Sequence, residues 1–200
     1  MLKRAGRLLL ELLVVFVGVY AAFALNTWRE DRRDDARREQ ILQTLRSHVT
    51  WVDRGIEEGR PAIDSVFILP FLTRLEDGDA PVLQPIDFAA GAVGKGLWEA
   101  MLQAGGLDVL DAATIERMHH YFSTLEQGVH VLDDARAQSH VQLYPNLGRG
   151  TDEFYDERGR LRPRYAWYPK TLRTLHHHFQ RLDAAGDSTL AHLDSLLDAR

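Results

Sequence analysis

The sequence predicts an all-α protein: an N-terminal transmembrane helix that continues into a long helix, followed by an antiparallel helical bundle. Three observations predict it. Residues 8–25 form an apolar run interrupted by Glu11 alone. Three later segments keep apolar residues at alternating spacings of 3 and 4, the rhythm of one helix face. No segment alternates apolar and polar side chains as a half-buried strand does.

Counted over residues 5–28, the first segment supplies the ~20 residues that a hydrocarbon core of about 30 Å requires at about 1.5 Å per residue. The chain therefore divides into an anchor, residues 1–28, and a helical domain, residues 29–200, long enough to bury a core without metals or disulfides. A basic start and Ala22-Phe23-Ala24 also fit a cleavable export signal with Leu25 as first mature residue. Glu11 and the length of the run favour a retained anchor. On the anchor helix Glu11, Gly18 and Leu25 recur at seven-residue intervals, and Gly18 and Ala22 make a small-xxx-small pair that lets a second helix approach closely. A carboxylate inside a span calls for a partner, here Arg7 or the same arginine on a neighbouring copy, or for a shallow position from which it reaches the headgroups.

The five arginines that follow the span, Arg29, Arg32, Arg33, Arg37 and Arg38, favour a cytoplasmic domain, but five acids are interleaved with them. The short basic N-terminus favours an exported one, and the exported side of a bacterial inner membrane is the expected location. Of the net charge of −5, Lys3, Arg4 and Arg7 against Glu11 leave +2 on the anchor, so the domain carries −7. That argues against nucleic acid as a partner, because phosphate binding needs concentrated positive charge. The 21 arginines against 3 lysines read as the composition of a high-GC bacterial genome, not as a binding feature.

No proline or glycine falls between Gly18 and Gly55, so the membrane helix is expected to run on as one rod until Gly59-Arg60-Pro61 breaks it. Along it, Leu42, Leu45, Val49, Val52 and Ile56 form an apolar stripe. A second helix is expected over residues 62–76, kinked or broken near Pro70, then an irregular connection over 77–95 and a third helix over 96–104 ended by Gly105-Gly106. The clearest rhythm is Ile115, Met118, Phe122, Leu125, Val129 and Leu132, with Asp111 or Thr114 as cap. After a loop over residues 143–167 the last helix carries Leu172, Leu175, Phe179 and Leu182, and continues past Gly186 through Leu190, Leu193 and Leu197.

Candidate chemistry is thin. His176, His177 and His178 are consecutive, so on a helix they point about 100° apart and cannot converge on one ion. Glu116-x-x-His119 is half of a di-iron motif without its second half, and Glu126 with His130 suits an ordinary surface pair. Gly148-Arg149-Gly150 lacks the strand and the Lys-Ser/Thr ending of a phosphate loop. No cofactor, no metal and no catalysis are expected. The loop is the remaining candidate: Tyr144, Phe154, Tyr155, Tyr165, Trp167 and Tyr168 are interleaved with arginines, the side chains that dominate protein interfaces. The same aromatics would equally serve to pin the loop onto the bundle.

Glu11, Gly18, Ala22, Leu25, Asn26, Trp28 and Glu30 stand at the spacings of an anchor signature in an uncharacterised bacterial family of small single-pass membrane proteins, a domain of unknown function, which this chain resembles. Leu10, Thr27 and Arg29 depart from it. Trp98, Ala104-Gly105, Leu107 with Leu110, and Tyr121-Phe122 resemble a second family stretch. The resemblance implies a membrane-anchored helical domain and supplies no activity. The expected function is a non-enzymatic scaffold, accessory or interaction module, self-associating or bound to another membrane protein. The alternative is a single-span, sensor-like bundle that binds a ligand.

Overall fold

A computed structural model describes residues 2–87, 95–103 and 108–199; the side chains of residues 2–12, 14, 15 and 95–97 fall outside that description. Helix α1 spans Leu2–Ala62, a π-helical stretch covers Ile63–Ile68, and α2 follows as Leu69–Glu76. Helix α3 is Lys95–Gln103, α4 is Ala112–Gln142 and α5 is Trp167–Asp198. The described residues are helical or irregular, with no strand longer than the isolated bridge between Tyr155 and Leu161. Among them, no helix is long and apolar enough to cross a membrane.

Ion pairs and hydrogen bonds give the topology. Arg46 meets Asp194, Arg60 meets Asp183, Asp64 meets His176 at 3.0 Å and Glu76 meets Arg173 at 3.2 Å, so α1 with its continuation runs antiparallel to α5. Thr114 meets His192 at 2.9 Å and Gln142 meets Trp167 at 2.8 Å, so α4 is antiparallel to α5 as well. Arg38 pairs with Asp111 at 3.2 Å, which sets the start of α4 beside the middle of α1. The bundle is thus antiparallel only with respect to α5: α1 and α4 run parallel, because the connection between α2 and α4 returns the chain to the end from which it set out.

The expected break at Gly59-Arg60-Pro61 does not occur. Pro61 lies inside α1 and removes one backbone donor, a defect that ordinarily bends or ends a helix. Here side chains on both sides of it are held by α5, Arg60 by Asp183 and Asp64 by His176, and Ser65 Oγ donates to the Pro61 carbonyl. The wide turn that follows shifts the helix phase by about one residue in five. Val66, which an unbroken stripe would bury, is exposed, and Ile68, Phe71 and Leu72 are buried instead. Pro70 then falls in the first turn of α2, where a missing donor costs little.

The other rhythms are seen as predicted. Met118, Phe122, Leu125 and Leu132 are buried along α4, Leu172, Leu175, Leu182 and Leu193 along α5, and α5 passes Gly186 without interruption. Asp111 caps α4, its Oδ1 accepting from the Thr114 N–H at 2.8 Å. The expected cap at Gly105-Gly106 lies outside the described residues.

The buried residues form two clusters. One joins Leu42, Leu45, Val49 and Val52 of α1 to Met118 and Tyr121 of α4 and to Leu182 and Leu193 of α5. The other joins Ile68 and Phe71 to Leu132 of α4, Leu172 of α5, the connection after α2 and the aromatic loop. Within the first cluster sits a carboxylate. Asp53 is 8% exposed and faces Gly186, where an added Cβ would stand 2.5 Å from Asp53 Oδ1. Burial, with Glu57, Asp187 and Asp183 nearby, pushes this carboxyl above its ordinary 3.8.

The folded chain therefore holds the Asp53 proton more tightly than the unfolded chain. Below about pH 3 the group is neutral in both states, and the cost of ionising it in the fold grows as the pH rises through the ordinary value, levelling off above the raised one. Asp53→Asn, isosteric and uncharged, is expected to raise the thermal midpoint at about pH 7 and to bring no gain at about pH 3. An equal shift at both pH values would mean that the charge carries no cost.

Candidate functional site

Between the two buried clusters the three long helices leave a cleft of ≈ 400 Å³. Ile56 of α1, Ile63 at the start of the π-helical stretch, Val129 and Leu132 of α4, and Leu175 and Phe179 of α5 supply apolar walls, and Trp51, 64% exposed, stands at the mouth. Its volume is that of a small-molecule site, which typically runs from ~300 to ~1,000 Å³.

Three positions that line it carry no side chain. Gly55 and Gly59 lie one turn apart on α1, Gly128 lies on α4, and all three line the cleft. A Cβ added to any of them would meet nothing within 4 Å. Each glycine inside a helix costs about 1 kcal/mol relative to alanine. Close packing in the fold does not require these three, in contrast to Gly186.

Polar groups are few and placed at the edge. Arg60 is engaged by Asp183 and, at 4.0 Å, by Asp64. Arg54 and Glu58 share the rim, and Arg54 is exposed without an ion-pair partner among the described residues. His178 contributes to the α5 wall, and its Nδ1 is buried with no hydrogen-bond partner. Burial first, then Arg181 and His177, hold its imidazole below the usual histidine range, toward the neutral form. His48 behaves alike. Its ring stands between those of Trp51 and Phe122, Nε2 has no partner, and burial lowers its pKa.

The loop after α4 is folded against the bundle by its own aromatics. Phe154, Tyr155, Tyr165 and Tyr168 are buried, and Trp167 is partly buried with Nε1 donating to Gln142. Tyr155 Oη donates to the Pro81 carbonyl at 2.7 Å. Tyr168 Oη donates to the Gln84 carbonyl at 2.7 Å and accepts from the Gln84 N–H at 3.2 Å. Tyr144 is the outermost, stacked on His140 and bonded to Asp87. Several of the arginines serve the loop's own backbone and acids: Arg162 donates to the carbonyls of Tyr155 and Asp152, Arg160 to Asp156, and Arg164 to Glu153. The aromatic side chains therefore clamp the connection after α2, and the exposed surface of the loop is mostly polar, with Tyr144 and Leu147 as its exposed apolar side chains.

Of the residues expected to form an anchor, Gly18, Ala22, Asn26 and Trp28 lie on an exposed stretch of α1; the Glu11 side chain falls outside the described residues. Asn26 donates to Glu30 at 2.7 Å, and the Arg32 guanidinium lies 5.2 Å from the centre of the Trp28 ring. In the second family-like stretch, Trp98 stacks on Phe122 with ring centres 5.6 Å apart, and Ala104, Gly105 and Leu107 are outside the described residues. The histidines do not converge: among the described residues no group of three or more His, Cys, Asp or Glu side chains could hold one metal ion. His130 approaches Glu126 at 3.8 Å as a helix-surface pair.

Sequence reading missed the cleft. The signal for it was present in Gly55, Gly59 and Gly128, isolated glycines within helical patterns, which cost stability and call for a reason. The chain matches no protein-family model, no curated protein and no solved structure.

Proposed function

We propose that this chain is a membrane-anchored, non-enzymatic helical module, tethered by residues 1–28 in a bacterial inner membrane and carrying its bundle on the exported side. The observation that carries this reading is the free end of α1. Every described side chain over residues 16–37 is exposed, and as far as Trp28 the exposed surface is mostly apolar on all sides of the helix, with Phe16 at 74%, Tyr20 at 73% and Phe23 at 70%. A helix apolar all round is a buried helix, so this one calls for lipid or protein around it. At Arg29 the surface changes to charged, and Trp28 with Arg32 makes the aromatic and basic pair suited to a headgroup layer.

The likeness of the anchor signature to uncharacterised single-pass proteins agrees with a tether. Self-association uses the face of Glu11, Gly18 and Ala22, since close backbone approach replaces the missing hydrophobic drive in lipid. Another membrane protein could take the same face. N-terminal sequencing of protein extracted from membranes is expected to return Met1 or Leu2; a soluble product starting at Leu25 would sink the anchor. In an in-membrane association assay Gly18→Leu is expected to weaken the assembly several-fold and Phe16→Leu to leave it nearly unchanged, the coupling at stake being about 0.6–2 kcal/mol. A monomeric wild type would remove the self-association. A ligand-binding bundle is the second reading, and the glycine-lined cleft is the observation that favours it.

A further inference from the structure

We propose that the cleft binds a single-chain carboxylate, an unbranched apolar chain ended by one carboxylate group, with the chain against the helix walls and the carboxylate at Arg54. This deepens the ligand-binding reading and rests on it, independently of the anchor.

Size selects the class of occupant. A cleft of ≈ 400 Å³ lies at the small end of the range for small-molecule sites, and a slender chain fits it. Three glycines keep the space open at a cost in helix stability that the empty fold does not require. The walls are aliphatic and aromatic over most of their area, which suits methylene groups and offers little to a sugar or nucleotide.

Charge selects the head. Two guanidinium groups, of Arg54 and Arg60, and one carboxylate, of Glu58, line the mouth. Arg60 is held by Asp183 and Asp64, whereas Arg54 has its fork of donors unengaged among the described residues and can take a carboxylate in two parallel bonds.

The test uses the full chain in phosphatidylcholine nanodiscs, with labelled decanoate, decanol and decylamine in equilibrium dialysis and empty discs as the baseline for lipid partition. Saturable decanoate uptake is expected, with decanol and decylamine at least about tenfold weaker. Arg54→Gln should bring decanoate down to the level of decanol, and Gly128→Leu, which fills the cleft, should abolish uptake. Should Gly128→Leu fail to fold, the Gly59→Ala/Gly128→Ala variant takes its place. Both added methyl groups enter open space. That variant should raise the thermal midpoint by about 2–4 °C per substitution while weakening uptake. Equal uptake of all three probes would overturn the carboxylate and leave a ligand-binding cleft. Absence of saturable uptake for all three would overturn both. Uptake unchanged in the folded glycine variants would overturn the location.

Discussion

Tyr168→Ala is expected to cost about 3–5 kcal/mol, the largest loss of any single substitution considered for this chain. The ring is 1% exposed and meets Phe71 edge-on with centres 4.9 Å apart, so truncation leaves a cavity in the middle of the second cluster. The hydroxyl bonds both backbone groups of Gln84. Tyr168→Phe isolates that contribution. It keeps the ring and leaves an N–H and a carbonyl without their partner, for about 1–3 kcal/mol. Denaturant unfolding measures both losses, and hydrogen exchange at residues 82–86 should rise in Tyr168→Phe before the three long helices open. Protection unchanged there would mean that the connection after α2 is held by its other contacts, among them Tyr155 Oη to the Pro81 carbonyl and the Ile86 N–H to Ser139 Oγ at 3.1 Å.

The second large effect is steric. Gly186→Ala gains about 1 kcal/mol of helix propensity, yet its new methyl collides with the Asp53 carboxylate, a short side chain between packed helices with little room to turn away. A net loss of about 1–3 kcal/mol is expected, the usual cost of overfilling a core. The double variant Asp53→Ala/Gly186→Ala removes the collision, so it should be more stable than Gly186→Ala alone, and the two changes should be strongly non-additive. Additive losses in a double-mutant cycle would show that the two side chains do not compete for one space.

These two sites mark where the sequence was legible and where it was not. Stripes such as Met118, Phe122, Leu125 and Leu132 identify a helix face because the period of 3.6 is a local property, and the cap at Asp111 is local too. The passage of α1 through Pro61 is not local. It depends on Asp183 and His176, more than a hundred residues away in sequence, and the phase shift at the π-helical stretch follows from it. Composition named the aromatics of the loop but could not give their direction, since a tyrosine with a backbone group to bond is as well suited to a core as to an interface. The cleft was least legible of all. It belongs to three helices at once, and Gly59 was read for its freedom to break a helix when its part in the fold is to leave a volume empty.

The continuity of α1 also fixes a height. At about 1.5 Å per residue, Gly55 stands about 40 Å along the axis from Trp28. On the anchoring proposed above, with Trp28 at the level of the headgroups, the mouth of the cleft would be held farther from the bilayer than an acyl chain can extend. A lipid still seated in that membrane would not reach it, so the cleft would sample only molecules already dispersed in water, and on that proposal the charged segment after Trp28 would serve as a stand-off between the two apolar environments of one helix.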